Sequence, residues 1–180
     1  VTRQGNGAAS SLVIMSRICT LGGGERGRLG LELLDDLGGD RCVVGLSVDG
    51  YGADPRKDYD AWRGWRSLEI ARACVSTSGL FGFVDALGAW AELPLARLRT
   101  ATLTHEVELA RGFPERVGLA VGPLPARMRY PLGDRVLLRV HTRLGGVPST
   151  LAFVIDVSGA AVFVDQVHDA TGARSPFARR

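Results

Sequence analysis

The stretch Trp62–Leu87, WRGWRSLEIARACVSTSGLFGFVDAL, decides how the rest of the chain is read. It contains no proline, and its polar positions thin out after Arg72. Small residues recur at Ala71, Ala73, Cys74, Ser76, Ser78 and Gly79. The pattern predicts one long helix. So little of its circumference is polar that it should be buried on most sides. Gly88 and Pro94 close the segment.

Upstream, Arg28–Leu37 and Arg41–Val48 flank a Gly38-Gly39-Asp40 turn and predict a β-hairpin. Residues 49–61, DGYGADPRKDYDA, read as a loop. Leu12–Leu21 is a short apolar segment of either type. Downstream the pattern changes to strands: Leu98–Leu109, Val117–Val121, Arg127–Val140, Leu151–Val157 and Ala161–Val167. Gly145-Gly146 and Ser158-Gly159 punctuate them as turns. RVLLRVHTRL, residues 135–144, alternates as a half-buried strand should. No internal repeat is read. A hairpin, one buried helix and a run of antiparallel strands predict an α+β domain. A curved antiparallel sheet wrapped around one long central helix, the hotdog fold, buries such a helix on nearly every side. The expected organisation is a loose arm over 1–11, one domain over 12–170 and a polar tail over 171–180.

Composition bounds the function. The chain has 180 residues and 46% hydrophobic content, which excludes general disorder. No apolar run reaches the length of a membrane-spanning helix. The N-terminal region has no signal-like run, so a cytoplasmic protein is expected. Of 22 basic residues only Lys57 is lysine, and the arginines are spread along the chain. A formal net charge of +3 predicts no nucleic-acid partner, and no membrane partner is expected. Cys19, Cys42 and Cys74 are widely spaced and form neither a disulfide framework nor a zinc motif. Neither a metal nor a cofactor is expected.

Within GWRSLE, residues 64–69, a glycine precedes a glutamate by five positions. This resembles the start of the central helix in the 3-hydroxyacyl-carrier-protein dehydratases, a hotdog family. YPLGDRVLLRV (130–140), LAFVIDVSGAAVFVDQV (151–167) and GGDRCVVGLSV (38–48) are similar to other strands of that family. The resemblance implies a dehydratase-like lyase acting on a 3-hydroxyacyl or enoyl thioester in fatty-acid or polyketide-type metabolism. The thioester would be carried by acyl carrier protein or CoA. A thioesterase, another acyl-thioester enzyme and a non-catalytic acyl-binding protein stand as alternatives. Glu69 would handle the proton, and backbone at Gly64 and Trp65 would meet the thioester carbonyl. The family's loop histidine has no counterpart, which leaves Asp60 and then Asp58 as helpers. Trp62 and Trp65 would line an acyl tunnel or simply pack. Arg63 and Arg66 would meet pantetheine or CoA phosphates. A homodimer is implied, with the Asp54–Asp60 loop of one chain near Glu69 of the other.

Plainer readings accompany these. Glu69, with Arg66 and Arg72 three residues to either side, also fits a solvated helix stripe. His141 lies on the polar phase of its strand and His168 after the last one. His105 shares a phase with apolar residues. Gly22-x-Gly24-x-x-Gly27, with Asp49 downstream, imitates a dinucleotide-binding fingerprint. The strand–helix alternation such a domain needs is missing, so a loop is expected there.

Overall fold

The computed structural model describes residues 17–23, 27–52, 63–98, 105–110, 116–124 and 134–172. Strands β1 (Ile18–Gly22), β2 (Arg28–Gly38), β3 (Arg41–Gly52) and β4 (Arg63–Ser76) form an antiparallel meander, each paired with the next. Helix α1 (Thr77–Ala91) and the short α2 (Leu95–Leu98) follow. Strands β5 (His105–Ala110), β6 (Arg116–Gly122), β7 (Arg135–Leu144) and β8 (Val147–Asp156) form a second meander, and α3 (Val157–Ala170) follows it. The meanders join where the end of β3 pairs with β8, Tyr51 with Ala152 and Gly52 with Leu151. The hairpin expected around Gly38-Gly39-Asp40 is the β2–β3 pair.

The central expectation is overturned. Trp62–Leu87 is not one helix: β4 runs to Ser76, and only then does α1 begin. The fold is therefore not a hotdog. Among the described residues no single long helix lies inside a curved sheet; helices of 15 and 14 residues each follow a four-stranded meander. The error has a local cause. On β4 the core-facing residues are Ile70, Ala73 and Val75, with Leu68 packed against the core. The register against β3 shifts between Leu46–Ile70 and Val44–Ala73, a bulge that adds one residue to β4. The resulting two–three–two spacing imitates helical periodicity. Ala161–Val167, expected as a strand, lies in α3. Its valines and phenylalanine suggested strand, but its buried residues Ala160, Phe163, Val164, Val167 and Ala170 follow a helical stripe.

One face of both meanders packs on the helices around a shared core. Leu29, Leu31, Val44, Leu46 and Val48 of the first meander meet Val117, Leu119, Leu138, Val140 and Phe153 of the second in that cluster. Phe83 of α1 and Phe163 of α3 are fully buried within it. Burying each such side chain contributes about 1.5–3 kcal/mol.

The structure also reveals a repeat that the sequence reading missed. Ser78-Gly79 and Phe83-Val84-Asp85 of α1 correspond to Ser158-Gly159 and Phe163-Val164-Asp165 of α3. Both helices are capped in one way: the Ser76 side chain accepts from the Gly79 N–H at 3.0 Å and the Asp156 side chain from the Gly159 N–H at 2.7 Å. Both begin beside the same kind of strand. Arg41 pairs with Ser76 and Arg135 with Asp156. The Thr77 N–H donates to the Asp40 carbonyl at 3.2 Å, and the Val157 N–H to that of Asp134 at 3.1 Å. The described residues form two four-strand-plus-helix units in tandem.

Two glycines of the apparent dinucleotide motif, Gly22 and Gly27, belong to the junction between the units, and Gly24 lies outside the described residues. Gly27 has φ +104°, and a Cβ there would lie 2.8 Å from both the Asp49 carbonyl oxygen and Phe153 Cγ. At Gly22, φ +85°, a Cβ would come within 2.7 Å of the Gly27 carbonyl oxygen. These two positions admit only glycine, because the backbone turns left-handed while Phe153 of the second unit fills the space above.

Candidate ligand-binding face

The face of the first meander opposite the core is polar and open. Side chains paired across antiparallel strands share a face, so the register places Ser47, Asp49 and Tyr51 of β3 beside Glu69, Ser67 and Trp65 of β4. Tyr51 and Trp65 are direct partners. Their rings meet edge to face with centroids 5.3 Å apart, and Trp65 remains 45% exposed. Asp49 sits next to them, bridging two strands. Ser67 Oγ donates to its Oδ1 at 2.5 Å, and Arg28 Nε donates to its Oδ2 at 2.6 Å. These bonds, the Ser67 hydroxyl first and the Arg28 guanidinium second, hold the carboxyl below the usual aspartate range. Gly30 lies below the Ser47 hydroxyl, so the floor beside the network is flat.

The corresponding face of the second meander is more basic. Alternation along β7 puts Arg135, Leu137, Arg139, His141 and Arg143 on one side of the sheet. Leu137 is covered by a small apolar group with Leu124, Ala152 and Val154. Arg139 is half-buried, and burial lowers the pKa of its guanidinium. Its Nη1 lies 3.4 Å from where a Cβ on Gly122 would stand. His141 Nδ1 is 2.9 Å from Thr150 Oγ1, which replaces the plain surface histidine expected with a paired, half-buried one. Arg143 stands directly opposite Arg116 on β6, and the same row ends at Pro148 on β8. Because Tyr51 pairs with Ala152, and Ala152 with Arg139, the two faces are one continuous surface.

The residues singled out from sequence are distributed differently from the expectation. Gly64, Trp65, Arg66 and Glu69 all lie on β4 and are exposed; none stands at a helix start. Glu69 faces Ser47 across the strand pair. Arg63 opens β4. Trp62, Asp58, Asp60 and Asp54 lie outside the described residues. Sequence reading placed Tyr51 in a loop, although Ser47, Asp49 and Tyr51 already continue the outward phase of β3. It also missed Arg116 and Arg143 as a pair, because their meeting depends on the β6–β7 register. Among the described residues no group of three or more His, Cys, Asp or Glu is placed to hold a metal ion. No described helix is long and apolar enough to cross a membrane.

No protein-family model matches the chain, and no curated protein matches it. Solved structures similar to it include WHY1 from Arabidopsis thaliana, at 12% identity and TM-score 0.40, covering 91% of this chain and 87% of that one. Another is the plant transcriptional regulator PBF-2, at 14% identity and TM-score 0.35, covering 85% of this chain and 78% of that one. The fold corrects the dehydratase resemblance and the activity drawn from it. The acyl-thioester activity, with its lyase and thioesterase forms, loses the buried helix that was to carry it. So do the acyl-binding alternative and the acyl carrier protein or CoA partner. The homodimer was implied by hotdog edge pairing and loses that support with the hotdog. The exclusion of nucleic acid is also withdrawn. It rested on net charge, an average over the chain, whereas a ligand meets the local distribution on one face.

Proposed function

We propose that this chain is a binding protein for single-stranded nucleic acid, and that the ligand lies on the outer face of its sheet. The observation that carries the reading is the Tyr51–Trp65 pair, two aromatic rings in edge contact on the outer face of the sheet, with Trp65 exposed. Unpaired bases offer a π-face whatever their identity, and aromatic side chains on a sheet stack with them at about 1–3 kcal/mol per base. A duplex keeps its bases stacked on one another and offers no such face to a flat platform. The Arg28–Asp49–Ser67 network braces the floor beside the aromatic pair. Arginines exposed elsewhere on the sheet, among them Arg66, Arg116 and Arg143, are suited to phosphate oxygens.

The test is fluorescence anisotropy of a labelled oligothymidylate against the protein at low salt. Binding is expected, and Trp65→Ala should weaken it by about 5- to 150-fold, the equivalent of one stacked base. Absence of binding by the unaltered protein, or equal affinity of the Trp65→Ala variant, would overturn the reading.

A further inference from the structure

The aromatic pair lies on the first unit, yet the sheet face continues onto the second, where β6 and β7 set two arginines against each other. Arg116 and Arg143 are register partners, which puts their Cα atoms about 4.5–5.5 Å apart. The row continues to Pro148 on β8. The next row consists of Gly118, His141 and Thr150, with Glu108 at the register position on β5. Thr150 holds the His141 ring through a hydrogen bond of 2.9 Å between its Oγ1 and His141 Nδ1. Both arginines are exposed, and their register places them side by side at one end of the sheet, an arrangement suited to an anion with several oxygens.

We propose that Arg116 and Arg143, with His141 beside them, grip the backbone phosphates of the same ligand strand whose bases stack at Trp65. This rests on the reading of the face as a nucleic-acid site and assigns its second contact. From Arg143 to Trp65 the surface crosses three strand spacings of about 4.8 Å and four residues of about 3.3 Å along the strand, a span of about 20 Å. A mononucleotide cannot bridge that distance. The ligand is an oligomer that spans both units, stacked on the first and held by charge on the second.

The two contacts separate by salt. Affinity for an oligothymidylate of about 12 nucleotides is measured across a salt series, with Trp65 quenching followed in parallel. Each phosphate neutralised on a single strand contributes about 0.7 to the slope of log affinity against log salt. The double variant Arg116→Gln/Arg143→Gln should therefore lose about 1.4 from the slope while still quenching Trp65 at saturation. Arg116→Lys/Arg143→Lys, which keeps both charges, should restore the slope. Trp65→Ala should lower affinity with the slope unchanged. If the unaltered protein binds and the glutamine variant keeps the full slope, the phosphate grip is refuted although the stacking site stands. If the unaltered protein binds at no salt concentration, the face is not a nucleic-acid site and both assignments fall.

Discussion

Replacing Gly27 by alanine tests whether the glycine-rich stretch is a joint between the units. At φ +104° an L-residue is strained by about 1–3 kcal/mol. The new methyl would also lie 2.8 Å from the Asp49 carbonyl oxygen and from Phe153 Cγ, where ordinary carbon contacts stand at about 3.5–4.0 Å. One obstacle is backbone and the other is a fully buried ring, so neither yields without moving the junction. Overpacking of that kind costs about 1–3 kcal/mol. The sum is about 2–6 kcal/mol, a large part of the 5–15 kcal/mol typical of a folded domain. For a chain of this length it corresponds to a fall in Tm of about 5–20 °C. Gly23 is the internal control. A Cβ there meets nothing within 4 Å, and its backbone is not left-handed, so Gly23→Ala should stay within about 0.5 kcal/mol of the parent. The assay is urea denaturation followed by circular dichroism, on both variants side by side. The reasoning fails if Gly27→Ala loses under about 1 kcal/mol. It also fails if the two substitutions cost the same.

Two further outcomes follow from the electrostatics and the burial of the thiols. The folded-state pKa of Asp49 is depressed, so its contribution is present above the ordinary aspartate value and is lost as pH falls through the lower folded value. Asp49→Asn should accordingly reduce stability at neutral pH, and the difference from the parent should close in acid; a difference constant with pH would contradict the Ser67 and Arg28 contacts. Cys19 and Cys42 are buried, and burial raises both thiols, Cys19 to about 11, while Cys74 is exposed. A thiol reagent at pH 8 should label Cys74 quickly and the other two only on unfolding, with peptide mapping to assign the sites; early labelling of Cys19 would place it wrongly in the core.

What the sequence disclosed and concealed follows from how local each signal is. The Gly38-Gly39-Asp40 hairpin was legible because a turn and its two flanking strands fall within one window. β7 was legible through strict alternation. β4 was not, because one bulge at Ala71–Arg72 shifts the inward phase, and the shifted phase resembles a helix. The true start of α1 was nevertheless present as Ser76 with Gly79 three residues on, and that of α3 as Asp156 with Gly159. Reading those two caps together, 80 residues apart, would have exposed the repeat and separated strand from helix in both halves. The face itself was beyond reach. Sequence reading gives Trp65 to a thioester site at a helix start rather than to an open sheet face, and the meeting of Arg116 with Arg143 depends on a pairing that no single stretch encodes.

The tandem arrangement has a consequence for how such a surface can specialise. Two separate, identical units associated about an axis must present every feature twice, since a change to one is a change to both. Joined covalently, the halves are released from that identity. In the first, the β3–β4 pair extends past the point where its counterpart turns at Gly145-Gly146, and the extra length carries Tyr51, Trp65 and the bond to β8. The second has kept the short turn and placed its arginines on the shared surface. Such division of labour is open to a fused pair and closed to a symmetric one.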